Sequence, residues 1–295
     1  MTPAALTGRP SRRFGTEGMQ ESRLISLALV VPALLILLAL FVYPLGFSLV
    51  TAFVDETGAW TVGNFVKAFE FYSRDIVFTV VIVSLSTALI GVFSIAIGGY
   101  LVLGEHPRTV AALRWLYRWP LFIPFVVAGQ LMRTFLAKNG MMNNTFVGLG
   151  LYEPIDAVSF LDWRGIVVTF VWKQTPFVAL LVSGAMASLD RATVEAARNL
   201  GAGRLRVLLE IVVPQVRQTL AVGLILSFVI MMSVLSVPLM INAGTPTMLT
   251  ADMAFRINAY GDYGVANALG FVSYLMTGVV AWIYLRHAVR EGGRP

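Results

Sequence analysis

Long runs of residues without a single charge are the feature that most constrains this chain. Four such runs, of 23 to 34 residues, lie at 24–54, 76–104, 218–251 and 263–285. About 20 consecutive apolar residues in a helix cross the hydrocarbon core of a bilayer. Lipid offers no partner to backbone N–H and C=O groups, so a spanning segment must bond its own backbone, as a helix does. The four runs therefore predict four membrane-spanning helices.

Two further spans are each interrupted by one charge. Arg118 and Arg133 enclose 14 uncharged residues, and a helix extended to residue 137 leaves Arg133 in an outer turn, from which a long side chain reaches the interface. Between Arg164 and Asp190 the single charge is Lys173. The prediction is an all-α membrane protein of six transmembrane helices, near 24–50, 76–103, 116–137, 165–189, 216–242 and 263–285.

The composition agrees with a chain embedded in lipid. Charged residues are 13% of the 295 residues and hydrophobic residues are 57%, whereas soluble domains carry about 25% charged residues. The chain has no cysteine, which excludes disulfides, thiolate metal sites and cysteine nucleophiles. The polar residues 1–23 are interpreted as a tail and not as a cleaved signal peptide, because the apolar run after them is too long for a signal sequence.

The distribution of Lys and Arg predicts the orientation. Six spans put both termini on one side, together with the loops between spans two and three and between spans four and five. That side holds 15 of the 22 basic residues and 7 acidic ones, a net charge of +8, against 7 basic and 9 acidic residues elsewhere, a net charge of −2. Because cytoplasmic loops carry the excess of Lys and Arg, residues 1–23 and 289–295 are expected to be cytoplasmic tails around a membrane domain at 24–288.

Motifs of catalysis and of ion selection are missing from the sequence. It contains no HExxH, no GxSxG and no phosphate loop, since it has no Gly-Lys dipeptide, and no TVGYG filter. We therefore expect no catalytic residue, metal site or cofactor in this chain. No Asp or Glu falls within a predicted span, which argues against a proton-driven transporter. A six-span channel or secondary transporter remains the alternative from another functional class.

Five polar residues in the spans are candidates for a solute pathway. Lys173 lies about 13 Å along the helix from Arg164, near the bilayer centre, where a cation needs a partner or a water-filled cavity. A structural pairing, or a shifted span that places Lys173 at the interface, is the alternative. Ser233 and Ser236 share one helix face, with interhelical hydrogen bonding as the alternative. The candidates are Lys173, Gln174, Ser233, Ser236 and Asn242.

The loop between spans four and five, at 190–215, has the pattern of two short helices. Asp190 can cap the first helix, and Gly201 stands where that helix would end in a left-handed turn. A second helix is expected at about 204–212, with Pro214 before span five. A slim, mostly apolar face of the first helix is predicted from Ala192, Ala196, Ala197 and Leu200.

This loop resembles the EAA loop of type I permease subunits of bacterial ABC importers, written EAA-x3-G-x9-I-x-L-P. Val213 stands where leucine is usual. The resemblance extends from Tyr43-Pro44 to Tyr263-Gly264 and implies the type I permease fold with both termini cytoplasmic. The residues that match the motif, and that the resemblance assigns to ATPase coupling, are Glu195, Ala196, Ala197, Gly201, Ile211 and Pro214.

The resemblance also implies the partners and the location. The chain would be a non-catalytic subunit in a bacterial inner membrane, in contact with lipid and with no nucleic acid. Its EAA loop would dock on one of two ATP-binding subunits, which hold Mg-ATP, while an extracytoplasmic binding protein delivers the solute. A second permease protomer completes the pathway, and a different chain is favoured for it.

Family-like patterns point to two kinds of solute. Asn-Leu-Gly-Ala at 199–202 resembles the polyamine and oxyanion branch, whereas Trp172 with Pro176-Phe177, and GDYGVANALG at 261–270, resemble carbohydrate permeases. Lys173 in the pathway would favour an anionic or polyhydroxy solute over a polyamine, because like charges repel. A small polar organic solute of carbohydrate type is favoured, and a polyamine or an organic phosphate or oxyanion is the alternative.

Overall fold

A computed structural model describes residues 28–242 and 244–292. The tail predicted at 1–23 lies outside the described residues, as do residues 293–295 of the C-terminal tail. The described part is helical and has no strand, apart from one isolated bridge between Val54 and Trp60. The all-α prediction is confirmed. In chain order the helices are α1 (Ala28–Ala52), α2 (Gly63–Leu103), α3 (Pro107–Leu116), α4 (Phe125–Leu136), α5 (Met141–Gly148), α6 (Trp163–Ala187), α7 (Arg191–Asn199), α8 (Arg204–Ser233), α9 (Ser236–Ile241), α10 (Leu249–Phe255) and α11 (Tyr263–Gly292).

Five of these helices, α1, α2, α6, α8 and α11, are long and apolar enough to cross a membrane. A sixth candidate is the segment from α3 to α5, which bends by 109° between Phe122 and Phe125. The span predicted as one helix at 116–137 is therefore two pieces. Pro124 excludes the helical conformation for Ile123, which is extended at ψ 122°. The proline pair at 120 and 124 was the sequence signal for this break.

The fifth span also differs from its predicted limits of 216–242. Helix α8 begins at Arg204 and continues through a π-helical stretch, Val207–Val212, and past Pro214. The loop's second helix is thus the start of span five and not a separate element. At the other end α8 stops at Ser233, since Pro238 is incompatible with a helical carbonyl four residues earlier, at Val234.

The second span starts earlier than predicted. Helix α2 begins at Gly63 and not near residue 76, so it is 41 residues long and includes the buried carboxylate of Asp75. A 41-residue helix is about 61 Å long at 1.5 Å per residue, about twice the thickness of the hydrocarbon core. The uncharged run at 76–104 therefore covers only part of α2, which extends beyond it on the polar side.

The described residues form two compact units, residues 28–51 and the described residues from 52 onward. In the first unit, α1 passes through Pro44 without ending, after a π-helical turn at Leu38–Val42. In the second unit, α2 packs along α6 and α8 packs on both. Small residues permit this close approach: a Cβ added to Gly98 would lie 3.1 Å from the Met186 Sδ atom, and one on Gly223 would lie 3.2 Å from Val178.

Gly98→Leu is expected to destabilise the second unit. The added side chain would overlap Met186 and Val182 on α6, and overpacking costs about 1–3 kcal/mol. The measurement is the thermal unfolding midpoint of the purified chain in detergent. Gly184→Leu is the matched control, because no atom lies within 4 Å of a Cβ added there. Equal midpoints for the two variants would contradict this packing.

Candidate functional site

The first helix of the loop between α6 and α8 has the ends that its sequence predicts. The Asp190 carboxylate accepts a hydrogen bond from the Ala192 N–H at 2.9 Å and caps α7. Gly201 has a φ of +82°, and the Ala202 N–H donates to the Ala197 carbonyl at 3.0 Å. This is the left-handed C-terminal turn that glycine adopts at low cost.

Helix α7 has two distinct faces. Val194 and Ala197 pack against the hydrophobic core of the second unit. Ala192, Ala196 and Leu200, spaced four residues apart, are exposed on the opposite side, and Leu200 is 89% exposed. The four residues of the predicted apolar face therefore do not act together. Ala197 packs against the core and anchors the helix, because the turn of about 100° per residue points it away from Ala192, Ala196 and Leu200. The outer face of α7 is defined as Ala192, Ala196 and Leu200.

Ion pairs tie the loop to the end of α2. The Glu105 carboxylate, just after α2, accepts from Arg198 Nη2 at 3.4 Å and also pairs with Arg204. These two arginines stand on either side of the turn at 200–203. Exposed pairs contribute at most about 1 kcal/mol each, so Glu105 restrains the turn without stabilising the fold much.

The remaining residues of the predicted coupling motif lie around the turn and the start of α8. Glu195 is exposed on α7, and Ile211 is half-buried on α8. The Ile211 carbonyl accepts from Gln215 Nε2 at 2.9 Å. Pro214 is exposed on α8.

Lys173 on α6 is buried, with 7% of its surface exposed. Its ammonium donates to the Leu121 carbonyl at 3.3 Å and lies 5.1 Å from the centre of the Phe125 ring. Leu121 and Phe125 flank the break at Ile123–Pro124, where the helical hydrogen-bond ladder is interrupted. The charge therefore has a partner, and the partner is the broken part of the third span.

A second helix break, between the end of α8 at Ser233 and the start of α9 at Ser236, lies close to the same place. A Cβ added to Gly129 of α4 would lie 3.4 Å from the carbonyl oxygen of Ser236, the first residue of α9. Phe125 and Gly129 are one turn apart on α4, so Lys173 and Ser236 approach neighbouring turns of one helix. Gln174 is 4% exposed, and its Nε2 atom has no hydrogen-bond partner in the described part of the chain.

The last two pathway candidates make local hydrogen bonds. The exposed Ser233 hydroxyl donates to the Ile230 carbonyl at 2.8 Å. Asn242 donates to the Pro246 carbonyl at 3.0 Å and lines a cavity of about 580 Å³ with Asp162 and Trp163. The structure thus brings Lys173 and Ser236 to α4, and Asn242 to a cavity beside the first turn of α6.

Asp162 caps the start of α6 at this cavity. Its Oδ1 accepts from the Arg164 N–H at 2.8 Å, and its Oδ2 pairs with Arg164 Nη2 at 2.7 Å. The hydrogen bond from the Arg164 side chain lowers the pKa of Asp162 below its usual range, against a smaller opposing effect of burial. Asp162 therefore stays ionised at neutral pH, which is the form that caps a helix.

A buried polar cluster at α10 was missed by the sequence analysis. Asp75 Oδ1 on α2 accepts from the Thr247 N–H at 2.6 Å, and the Thr79 hydroxyl accepts from the Leu249 N–H at 3.0 Å. These bonds hold the start of α10. Arg256 follows α10, pairs with Asp262 at 3.4 Å, and lies over aromatic rings. The available signal was a line of polar residues along one face of α2, namely Asp75, Thr79, Ser86 and Ser94.

Comparison with known proteins gives one family and several relatives. The family described as binding-protein-dependent transport system inner membrane component matches residues 19–288. The sulfoquinovosyl glycerol transport system permease protein SmoG of Agrobacterium fabrum is 27% identical over 282 residues, which cover 90% of each chain. The trehalose/maltose transport system permease protein MalF of Thermococcus litoralis is 26% identical over 220 residues, covering 71% of this chain and 70% of the relative.

Further similarities concern other solutes and the fold. Relatives with lower coverage or identity are named as permease proteins of molybdenum and of spermidine/putrescine transport systems. A chain from the crystal structure of a bacterial alginate ABC transporter, in complex with its alginate pentasaccharide-bound periplasmic protein, matches with a TM-score of 0.78. Its sequence identity is 22%, and the match covers 94% of this chain and 98% of that one. At this identity the likeness is one of fold.

Asp190→Ala is expected to loosen α7. Loss of an N-cap costs about 1 kcal/mol, which corresponds to about fivefold faster amide hydrogen exchange in Arg191–Asn199. Asp190→Asn is the control, since asparagine caps as well as aspartate and its exchange should match the parent chain. Equal exchange in the alanine variant would show that the cap does not hold this helix.

Proposed function

This chain belongs to the family of binding-protein-dependent transport system inner membrane components, and on that premise we propose that it forms the translocation pathway for a small polar organic solute of carbohydrate type. It is a permease subunit of a type I ABC importer and is itself non-catalytic, since ATP hydrolysis belongs to partner subunits in this class. The observation that carries the proposal is the arrangement of α7, whose inner face packs against the core and whose outer face is exposed.

The proposed topology has six spans, with the bent segment from α3 to α5 as the third, in a bacterial inner membrane. Both termini and α7 are placed in the cytoplasm. The support is the charge asymmetry, a net charge of +8 on that side against −2 for the rest of the chain. The domain limits are a membrane domain at 24–288 between tails at 1–23 and 289–295.

The outer face of α7 is proposed to dock on an ATP-binding subunit. Exposed alanines leave a helix slim enough to enter a cleft, and Leu200 supplies an apolar contact at its end. The coupling residues are proposed to be Glu195, Ala196, Ala197, Gly201, Ile211 and Pro214. Ala197 and Ile211, both half-buried, would hold the helix and the turn in place and not touch the partner.

Helix α8 supplies a rigid connection from this loop to the membrane. It is continuous from Arg204 to Ser233, a length of about 45 Å at 1.5 Å per residue. Because no break separates the loop from the span, movement of the docked loop would shift the far end of α8. That end is the break at Val234, beside α9. ATP-driven closure of two ATP-binding subunits, each with Mg-ATP, would then bias the membrane domain between two states.

The solute pathway is proposed to run where the two broken spans meet. Non-helical backbone at membrane depth is tolerated only where protein covers it or where it lines a cavity. Lys173 and Ser236 approach α4 at these breaks, and Gln174 carries a buried, unpartnered amide. Ser233 and Asn242 would continue the pathway toward the outer cavity.

Carbohydrate is the favoured solute class for two reasons. Two relatives that match over 70% or more of their own length are named for sulfoquinovosyl glycerol and for trehalose and maltose. A cation at Lys173 would repel a polyamine and would tolerate a polyhydroxy or anionic solute. The proposed partners are an extracytoplasmic solute-binding protein and a second permease protomer. A second protomer is needed because the chain has one EAA-type loop and can serve one ATP-binding subunit. A different chain is favoured for it, because the carbohydrate and polyamine systems that the chain resembles commonly pair two different permeases.

Ala196→Trp is expected to reduce co-purification of the ATP-binding subunit at least tenfold. The bulky ring would project from the outer face of α7, where it prevents entry into a cleft, and it touches nothing in the chain itself. Ala111→Trp is the control, because Ala111 is likewise exposed on a helix on the proposed cytoplasmic side. An undiminished complex with Ala196→Trp, at matched membrane expression, would eliminate the docking proposal.

Lys173→Ala is expected to change solute uptake by the assembled importer without changing its assembly with the ATPase. Loss of the ammonium frees the Leu121 carbonyl and removes the cation from the proposed pathway. Lys173→Arg, which keeps the charge and a donor, should retain more uptake. Uptake is measured with labelled carbohydrate in reconstituted vesicles. Unchanged uptake, with a lowered unfolding midpoint, would assign Lys173 a structural role only.

A further inference from the structure

Two neighbouring cavities lie in the second unit between α2, the α3–Ile123 segment and α6. Their wall on α2 is a line of residues spaced by four, at 89, 93, 97 and 101. Their wall on α6 is a second such line, at 168, 172, 176, 180 and 184. Residues 97 and 101 on α2, and 176 and 180 on α6, are i,i+4 neighbours on the helix surface, so the two cavities adjoin at these steps. We call the two adjoining cavities together the lateral groove.

The lateral groove changes character along its length. The part nearer the bilayer centre has a volume of about 750 Å³ and an almost wholly apolar lining, with Phe93, Ile97 and Trp172 among its walls. The Tyr117 hydroxyl there accepts a hydrogen bond from Arg118 at 3.2 Å. A hydrated sugar would leave most of its hydroxyl groups without partners in such a lining, which separates this groove from the proposed solute pathway.

The end of the groove beneath α7 is cationic. This part has a volume of about 600 Å³, and its lining includes four arginines and two glutamates. Glu105 is already engaged by Arg198 and Arg204. Arg114 and Arg191 form no ion pair within residues 28–242 and 244–292. The surplus positive charge therefore lies directly beyond the apolar part.

The length of the groove matches one leaflet of a bilayer. Its wall on α2 extends from residue 89 to residue 104, a rise of about 22 Å at 1.5 Å per residue. Half of a bilayer, with its headgroup region, measures about 20–22 Å. An occupant with an acyl chain at one end and an anionic headgroup at the other fits both the length and the charge distribution.

We propose that the lateral groove binds one anionic phospholipid of the cytoplasmic leaflet. Its phosphate would lie between Arg114, Arg118 and Arg191, and an acyl chain would lie along α2 and α6. Basic pockets between helices on the cytoplasmic side are suited to such headgroups. The bound lipid would contact α7 from beneath, opposite its outer face. The proposal uses the topology given under Proposed function and is otherwise independent of the solute.

The test is lipid retention by the assembled transporter, read by native mass spectrometry. The complex is exchanged into detergent with equal amounts of phosphatidylglycerol and phosphatidylcholine, which share acyl chains and differ in headgroup charge. The expected result is retention of one phosphatidylglycerol with at least a tenfold preference. Arg114→Ala combined with Arg118→Ala should reduce that preference to within twofold.

Matched variants separate the site from general surface charge. Arg108 lies on the same helix, α3, and is outside the groove lining. The Arg108→Ala variant should therefore retain the preference for phosphatidylglycerol. Ile97→Trp fills the apolar part without a change of charge and should abolish retention. Leu116→Trp, at a more exposed position of the lining, serves the same purpose if Ile97→Trp does not fold.

Four outcomes would overturn the proposal. They are an equal loss of preference with Arg108→Ala, no preference in the parent complex, competition by soluble glycerol 3-phosphate as strong as by the lipid, and retention by the chain alone that is absent from the assembled transporter. The third outcome indicates a free-anion site and the fourth a protein interface. A complex that still binds its ATP-binding subunits but lacks lipid preference would refute this site and leave the proposed function intact.

Discussion

The rest of this structure depends on one constraint: in a medium without water, every backbone N–H and C=O group needs a hydrogen-bond partner within the protein. Where prolines interrupt a helix, freed carbonyls receive donors from elsewhere in the fold. Lys173 donates to the Leu121 carbonyl and Thr250 Oγ1 donates to the Val234 carbonyl, at 3.3 and 3.0 Å. Arg133 Nη1 donates to Met240 at the end of α9 at 3.1 Å. Each break is thus stabilised by a polar side chain that the membrane interior would otherwise disfavour.

These compensated breaks lie at the far end of the helix that starts beside α7. The unbroken α8 starts beside α7 and ends at Val234, and α9 beyond it lies against α4, whose own start is held by Lys173. A hydrogen bond from a side chain is easier to exchange than a helical ladder, so such points are where two packings of one bundle can differ. The account therefore places energy input and solute passage at the two ends of one helix.

The sequence predicted what depends on local pattern. Uncharged runs predicted α1 and α11, and a run interrupted only by Lys173 predicted α6. The residues of the EAA-type loop predicted the Asp190 cap and the left-handed Gly201. The sequence did not predict features that depend on packing between distant segments. Asp75 is buried because the Thr247 N–H, just before α10, donates to its carboxylate from 172 residues away in the chain. The division of α7 into two faces depends on the core beneath Ala197, which no local pattern contains.

The central claim, that this chain passes a carbohydrate-type solute under control of a separate ATPase, is tested most directly by accumulation in reconstituted vesicles. The chain is assembled with its ATP-binding subunits, second permease and binding protein, and labelled carbohydrate is followed with and without Mg-ATP. The account predicts accumulation that requires ATP and persists when a protonophore collapses the proton gradient. Accumulation that is independent of ATP and abolished by the protonophore would contradict it.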